Sequence, residues 1–125
     1  MDGEQSAVVR LEVPAESGYL RVVRLTASAV GTVVGFDVDR IEDLRIAADE
    51  LAGAAIAAAV PDATLVVAFR PGVDAIGITG TVPGEGPVVV EPIAEQVLRA
   101  IVEDFVVEAG EGRVSFSCVM RRTPR

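Results

Sequence analysis

The sequence contains no histidine and a single cysteine, Cys118. Without histidine the chain lacks the commonest transition-metal ligand and the general base of Ser-His-Asp and Cys-His catalysis, and one cysteine cannot form an internal disulfide. Aromatic residues make up only 4% of the chain, although 50% is hydrophobic. These absences exclude much enzyme chemistry and predict an aliphatic core of the kind that packs helices against a sheet.

Basic residues are also few. The chain has 11 Lys and Arg against 19 Asp and Glu, which gives a net charge of −8. A nucleic-acid site needs clustered cations to replace counterions, so we expect no nucleic-acid partner. Residues 1–5 carry two acids, unlike a signal peptide, and no run of 18 apolar residues is present. The sequence therefore predicts a soluble, cytoplasmic protein with no membrane partner.

The length of 125 residues fits one domain, 1–125, which buries roughly two thirds of the surface of the unfolded chain. No internal repeat and no linker divides it. Hydrophobic periodicity predicts five strands and three helices. In chain order they are a strand at 7–13, a helix at 20–34, a helix from Asp39 to Pro61, strands at 64–70 and 74–79, a loop at 80–91, a helix from Pro92, and strands at 105–109 and 114–120.

Polar residues predict where two of the helices begin. Asp39 and Glu42 form an aspartate version of a capping box, so we expect the second helix to begin at Asp39. Pro92 suits the first position of the third helix. The apolar faces expected to cover the sheet are Ile41, Leu44, Ala48, Leu51, Ala55 and Ala58 on the second helix, and Ile93, Val97, Leu98, Ile101 and Val102 on the third.

Residues 44–51 read LRIAADEL and resemble the "LRLAVDE" stretch of RsbW/SpoIIAB-type anti-sigma-factor serine/threonine kinases, members of the GHKL ATPase superfamily. The order of elements is similar to that family over nearly the whole chain, and residues 59–65 resemble its actinobacterial branch. The resemblance implies an α/β fold of α+β two-layer type. Its Bergerat-type sheet would be mixed, mostly antiparallel, and covered on one face by three helices.

The resemblance also assigns roles to two residues of the second helix. The glutamate that acts as the family's base matches Glu50, whereas the asparagine that holds Mg²⁺ four residues later is replaced by Ala54. Residues four apart share a helix face, so the pair would act together. A methyl group cannot ligate a hard cation, so the resemblance implies a vestigial base and no metal site.

Two further family elements are altered. The Asp-x-Gly-x-Gly signature that recognises adenine corresponds to residues 77–84, which contain no acid, and Thr79 beside Gly80 offers only a hydroxyl. The glycine-rich phosphate lid retains Gly84 and Gly86, but Glu91 and Pro92 occupy the positions where it would lead into the third helix. The degenerate nucleotide-pocket positions are thus Ala54, Thr79, Gly80, Gly84 and Gly86.

Several of these residues also have structural explanations. Glu50 fits the polar edge of an amphipathic helix, the glycines fit turns, and Cys118 fits the core side of a strand. Arginines on the first two helices are candidate anchors for a protein partner. They are Arg21, Arg24, Arg40 and Arg45.

The resemblance implies a regulator that binds a sigma factor, a STAS-type anti-anti-sigma factor, or both, and that forms a homodimer. With a degenerate ATP site it would bind these partners with no cofactor and transfer no phosphate. The alternative is an active ATP-dependent serine kinase that uses Mg²⁺ and phosphorylates the anti-anti-sigma factor, with Glu50 as base. A third hypothesis is a structural or dimerisation subunit without a sigma-factor target.

Overall fold

The computed structural model describes residues 7–124 and contains the predicted five strands and three helices. The acidic start of the chain lies outside the described residues. A short 3-10 turn, Ser17–Tyr19, leads into the first helix. In chain order the elements are β1 (Val9–Pro14), α1 (Leu20–Val34), α2 (Val38–Ala57), β2 (Thr64–Pro71), β3 (Ala75–Pro83), α3 (Pro92–Ile101), β4 (Asp104–Gly110) and β5 (Arg113–Arg121).

The strands form one open sheet in the order β1-β2-β3-β5-β4. All four pairings between these strands are antiparallel, so the mixed sheet implied by the resemblance is corrected in this detail. The reason is topological. The crossover through α3 carries the chain to the edge position β4, and β5 then inserts between β3 and β4, so two strands of the same direction never become neighbours.

The core lies between the inner face of the sheet and the helices, and it is aliphatic as expected. On α2 the predicted stripe is confirmed by Leu44, Ala48, Leu51 and Ala55, which are at most 1% exposed. Alternating residues of β3 and β5 meet α2 from the sheet, and β2 meets α1. The opposite face of the sheet is left to solvent. The two-layer α+β arrangement is therefore confirmed. Among residues 7–124, no helix combines the length and apolarity needed to cross a bilayer.

The start of α2 differs from the prediction. The helix begins at Val38, and its N-cap is Asp37, whose Oδ1 accepts a hydrogen bond of 2.8 Å from the Arg40 backbone N–H. Asp37 has the extended backbone (ψ 175°) that an N-cap residue needs, whereas Asp39 is already inside the first turn. The expected capping box of Asp39 with Glu42 was therefore wrong, and Asp39 instead places a negative charge near the helix N-terminus.

The face predicted for α3 is only partly buried. Leu98 is fully buried, and Val102 is buried just after the helix, but Ile93 is 77% exposed. Val97 is also exposed. The helix lies at the margin of the helical layer, where it contacts α2 and β4. A helix at the margin of a layer is covered by neighbouring elements over a narrower part of its surface than a central helix. The apolar periodicity of the helix alone does not show how wide this covered part is.

Candidate functional site

A cavity of about 310 Å³ lies between α2 and the segment that precedes α3. Glu50 and Ala54 are one helical turn apart and both line this cavity, as expected for two residues that share a helix face. Val89, Val90 and Glu91 line the cavity from the segment before α3. The structure thus brings Glu50 and Ala54, the two positions to which the resemblance assigns roles, together with the segment before α3.

The charged residues that line this cavity are all acidic: Asp49, Glu50 and Glu91. Asp49 is neutralised by Arg24, whose Nη1 lies 2.7 Å from Asp49 Oδ1. Among the hydrogen bonds and ion pairs of residues 7–124, the side chains of Glu50 and Glu91 take part in none. A polyphosphate in this cavity would be repelled by two carboxylates and would meet no free cation from the lining residues.

The backbone at the N-terminus of α3 is poorly suited to bind phosphate. Glu91 is the N-cap residue and its side chain makes no capping hydrogen bond. Pro92 follows at the first helical position, where it removes an N–H that would otherwise face a ligand. Val88 and Val90 pack against the core. Apolar contacts therefore fix the position of residues 88–91, the segment that precedes α3.

Thr79 and Gly80 do not line the cavity that contains Glu50. Thr79 points to the open face of the sheet, where its hydroxyl accepts a hydrogen bond of 2.8 Å from Arg70 Nη1. Gly80 faces the core, but the ring of Phe116 lies across it, and a Cβ at this position would collide with that ring. The structure therefore gives Thr79 and Gly80 structural roles away from the cavity.

Gly84 and Gly86 also lie outside this cavity, in the bend that follows β3. A Cβ on Gly84 would collide with the backbone of Ala58 at the end of α2. A Cβ on Gly86 would lie 2.7 Å from Ala109 Cβ. Both glycines are needed where chain segments approach closely, which agrees with the structural explanation given above.

The Asp-x-Gly-x-Gly signature implied by the resemblance can also be aligned on Gly84 and Gly86. The spacing of Gly84 and Gly86 at the end of β3 satisfies x-x-Gly-x-Gly over residues 82–86. The residue at the aspartate position is then Val82, which is fully buried on the core side of β3. An apolar side chain accepts no hydrogen bond, so this match also lacks an acid. Counting back from the glycine pair would have found Val82 from the sequence.

The four candidate arginines do not form one basic surface. Arg40 is 3% exposed and ties α2 to the α3–β4 junction and to β5. Arg24 is paired with Asp49, as described, and Arg45 Nη1 lies 3.0 Å from Glu42 Oε1. Of the four, Arg21 alone is both exposed and outside the ion pairs among the described residues.

Cys118 lies on the core side of β5, as predicted, and is 3% exposed. Burial disfavours the charged thiolate and raises the pKa of the Cys118 thiol from 9.0 to about 12. The thiol is therefore neutral and shielded at physiological pH, which is the behaviour of a packing residue and not of a nucleophile.

No protein-family model matches the chain. The anti-sigma-F factor RsbW of Mycobacterium tuberculosis (strain H37Rv) is 34% identical over 106 residues, which are 82% of this chain and 63% of that protein. The chain is therefore an RsbW homologue. The serine-protein kinase RsbW of Bacillus velezensis is 45% identical over a shorter stretch of 42 residues, 34% of this chain and 26% of that protein. The chain spans less than two thirds of the length of these relatives.

A solved structure agrees with the fold. The crystal structure of the RsbU and RsbW domains of Rv1364c from Mycobacterium tuberculosis superposes with a TM-score of 0.67. The match covers 93% of this chain and 32% of that chain at 16% identity. At this identity the likeness concerns the fold alone, and it supports the RsbW-type two-layer arrangement.

Proposed function

We propose that this RsbW homologue is a cytoplasmic anti-sigma-type regulator that binds a sigma factor, a STAS-type anti-anti-sigma factor, or both, and that transfers no phosphate. As the resemblance implies, we also propose that it acts as a homodimer. The observation that carries the proposal is Ala54, which lines the cavity beside Glu50 at the position where the family has its magnesium-binding asparagine.

Loss of the asparagine matters because Mg²⁺ in nucleotide sites is held by oxygen ligands and by the phosphates themselves. Ala54 supplies no oxygen, and Glu50 and Glu91 supply charge of the sign that repels the phosphates. Val82 stands where the family's adenine-binding aspartate is expected and offers no acceptor. These three features support a degenerate site that needs neither ATP nor Mg²⁺.

Protein binding requires a different surface, and we propose the outward side of α1. Its inward side is buried through Val23, Ala27 and Val30, yet Leu25 and Val33 on the outward side are 62% and 82% exposed. A helix that is apolar on both sides is typical of one covered on both sides. A partner that covers this surface would bury the exposed aliphatic side chains.

The hydroxyls of α1 make the same surface less polar. Thr26, Ser28 and Thr32 each donate to the carbonyl oxygen four residues earlier, at 2.9, 3.2 and 2.9 Å. Because these hydroxyl groups already donate within the helix, they need no acceptor from a partner or from water. The charged residues of α1 are Arg21 and Arg24, and because Arg24 is paired with Asp49, Arg21 is the charge that remains outside the ion pairs among the described residues. The surface therefore favours an apolar partner segment with an acidic residue beside it.

The test measures binding of the purified chain to each alternative sigma factor and each STAS protein of the host by biolayer interferometry, with and without Mg-ATP. We expect one such partner to bind with an affinity that Mg-ATP leaves unchanged. Leu25→Arg should weaken that binding by roughly tenfold or more, since it places a charge in an apolar contact. Val73→Arg is the matched control, because Val73 is 95% exposed on the β2–β3 turn.

Two results would contradict the proposal. Absence of binding to every sigma factor and STAS protein would leave a structural or dimerisation subunit. Binding that appears only with Mg-ATP would mean that the nucleotide site works. Equal losses with Leu25→Arg and Val73→Arg would remove α1 as the contact surface but not the partner.

A serine kinase remains the second candidate, because Glu50 is retained and several relatives are named serine-protein kinases. Transfer of radiolabelled phosphate from ATP to a serine of the STAS partner, lost in Glu50→Gln, would establish it. The wild-type chain is expected to transfer none, and a kinase-active RsbW serves as the positive control.

A further inference from the structure

The third helix carries exposed apolar residues along one side. Ile93, Val97 and Ala100 are spaced three or four residues apart and therefore share one side of α3. Ile93 is 77% exposed, and the other two side chains are exposed as well. The inward side of the helix, by contrast, is buried through Leu98. We call the exposed side, formed by Ile93, Val97 and Ala100, the α3 strip.

The cavity between α2 and the segment before α3 lies at the N-terminal end of this strip. Val89 and Glu91 line it, and Val89 is 62% exposed. Much of the remaining wall is apolar and includes Leu20, Ala54 and Ala57. The volume of about 310 Å³ is at the lower end of the range for small-ligand pockets, which is about 300–1,000 Å³. The cavity therefore has room for one long side chain.

Two carboxylates of this cavity have no cation beside them. Asp49 is paired with Arg24, but Glu50 and Glu91 take part in none of the hydrogen bonds or ion pairs of residues 7–124. Glu91 carries a full negative charge, which outweighs the partial charge of about +0.5 at the N-terminus of α3. The cavity therefore attracts a cation and repels an anion.

Lysine and arginine side chains match both the apolar wall and the carboxylates. Such side chains pack their aliphatic stems on apolar surface while the charged head reaches a polar group. In this cavity the stem would contact Leu20 and Ala54, and the head would pair with Glu50 or Glu91. The cavity and the α3 strip thus favour, side by side, a cation and an apolar surface.

We infer that the α3 strip and the cavity together bind a cationic amphipathic helix of a partner protein. Apolar residues of that helix, spaced three or four positions apart, cover Ile93, Val97 and Ala100 as one helix packs on another. A lysine or arginine beside them enters the cavity and forms charge-assisted hydrogen bonds with Glu50 and Glu91.

Charge disfavours the other occupants of an exposed apolar helix side. Nucleic acids and anionic lipids would be repelled by Glu50 and Glu91 and by the net charge of −8. A second copy of the chain would bring the same acidic surface and no cation, and like charges across an interface are unfavourable. A basic segment of another protein supplies both the apolar contact and the missing positive charge.

The inference goes beyond the proposed function, since it concerns another surface and the opposite charge. On α1, Arg21 is the charge outside the ion pairs of the described residues, so that surface favours an acidic neighbour, whereas the cavity favours a basic one. Leu25→Arg should therefore weaken binding at α1 and leave binding at α3 unchanged. Failure of the proposed function and failure of this inference are thus separate results.

Two synthetic peptides test the inference by fluorescence anisotropy with the full chain. Both are about 18 residues long and carry leucine at every third or fourth position, which makes one apolar helix face. The first has lysine at the other positions and the second has glutamate. The lysine peptide should bind at least about tenfold more tightly than the glutamate peptide, and added salt should weaken it. Equal affinities of the two peptides would overturn the inference.

Paired substitutions separate the cavity from the net charge of the chain. Glu50→Gln with Glu91→Gln should weaken binding of the lysine peptide by about tenfold or more. Glu12→Gln with Glu108→Gln makes the same change in net charge on the open face of the sheet, where both residues are exposed, and should change the affinity by less than about twofold. Equal losses in the two pairs would show attraction to net charge alone and would overturn the site.

Apolar substitutions test the strip and the cavity volume. Ile93→Ser should weaken the lysine peptide by about fivefold or more, because it removes apolar surface from the contact. Val73→Ser, on the β2–β3 turn, is the matched control and should have no effect. Ala54→Leu, which fills the cavity without changing its charge, should also weaken binding. An affinity that tolerates both Ile93→Ser and Ala54→Leu would contradict the inference.

Three further results would assign the surface to another occupant. Displacement of the lysine peptide by Mg²⁺, but not by sodium chloride of the same ionic strength, would assign the cavity to a metal ion. Binding to phosphatidylcholine vesicles that Ile93→Ser abolishes would assign the strip to a membrane. Dissociation of a dimer by Ile93→Ser in sedimentation equilibrium would assign the strip to a second copy. Each of these results would overturn the inference.

Discussion

Replacing Arg40 should cost more stability than replacing any exposed arginine of the chain. The side chain is 3% exposed. Its Nε donates to Arg121 O at 2.7 Å and its Nη1 donates to Ile101 O at 2.8 Å. The guanidinium also contacts Asp43 at 3.2 Å and Glu103 at 3.4 Å. One side chain thereby joins the start of α2 to the α3–β4 junction and to the end of β5.

The magnitude follows from these contacts. In Arg40→Met two carbonyl oxygens lose a charged donor, at about 1.5 kcal/mol or more each. The carboxylates of Asp43 and Glu103 are 31% and 22% exposed, so water compensates part of their loss. We expect a net cost of about 3 kcal/mol, which for a chain of this size corresponds to a fall in Tm of about 10 °C.

Urea unfolding followed by circular dichroism measures this cost. The free energy of unfolding of Arg40→Lys should lie between those of Arg40→Met and the wild type. An ammonium group keeps the charge but lacks the planar guanidinium that donates to several acceptors at once. Arg99→Met is the control. Its ion pair with Glu95 is on the surface, with 69% of the Arg99 side chain exposed, so the cost should stay below about 1 kcal/mol. A cost for Arg40→Met as small as that of the control would refute the reasoning.

Three further predictions concern packing, capping and the thiol. Gly80→Ala should lower the free energy of unfolding in urea by about 1–3 kcal/mol, because the added methyl group meets the Phe116 ring. Adding Phe116→Leu should recover part of this loss, and equal losses in the single and double variants would contradict the explanation. Asp37→Ala should lower the free energy of unfolding by about 1 kcal/mol and Asp39→Ala should lower it by less. A larger loss for Asp39→Ala would favour the capping box of Asp39 with Glu42. Cys118 should react with a thiol reagent at pH 8 only after unfolding, and fast labelling of the native chain would contradict its burial. Because burial raises the pKa of the thiol, the contribution of Cys118 to the free energy of unfolding is present below pH 9 and is lost between pH 9 and about 12.

The sequence predicted the elements well because their patterns are local. The alternation in β5 and the stripe on α2 are complete within one element, and the structure confirms both. Asp37 and Asp39 were harder to rank, since both can cap a helix and the choice depends on which residue adopts extended backbone. Ile93 was predicted to be buried and is exposed, because burial at the margin depends on what lies beside α3.

The candidate site was predicted only in part. Glu50 and Ala54 share a cavity because helical spacing fixes their relation, whatever the tertiary structure. Thr79 was assigned to the same pocket, but a shift of one residue along β3 moves a side chain to the other face of the sheet, and Thr79 faces away. The acidic wall formed by Glu91 depends on how the loop folds back on α2, which periodicity does not encode.

The most direct measurement of the central claim is isothermal titration of the chain with ATP, in the presence and absence of Mg²⁺. Ala54 and the acidic lining of the cavity predict no binding at micromolar concentrations under either condition. Ala54→Asn, which adds a side-chain oxygen at this position, provides a comparison in the same fold. Magnesium-dependent micromolar binding by the wild-type chain would contradict the account.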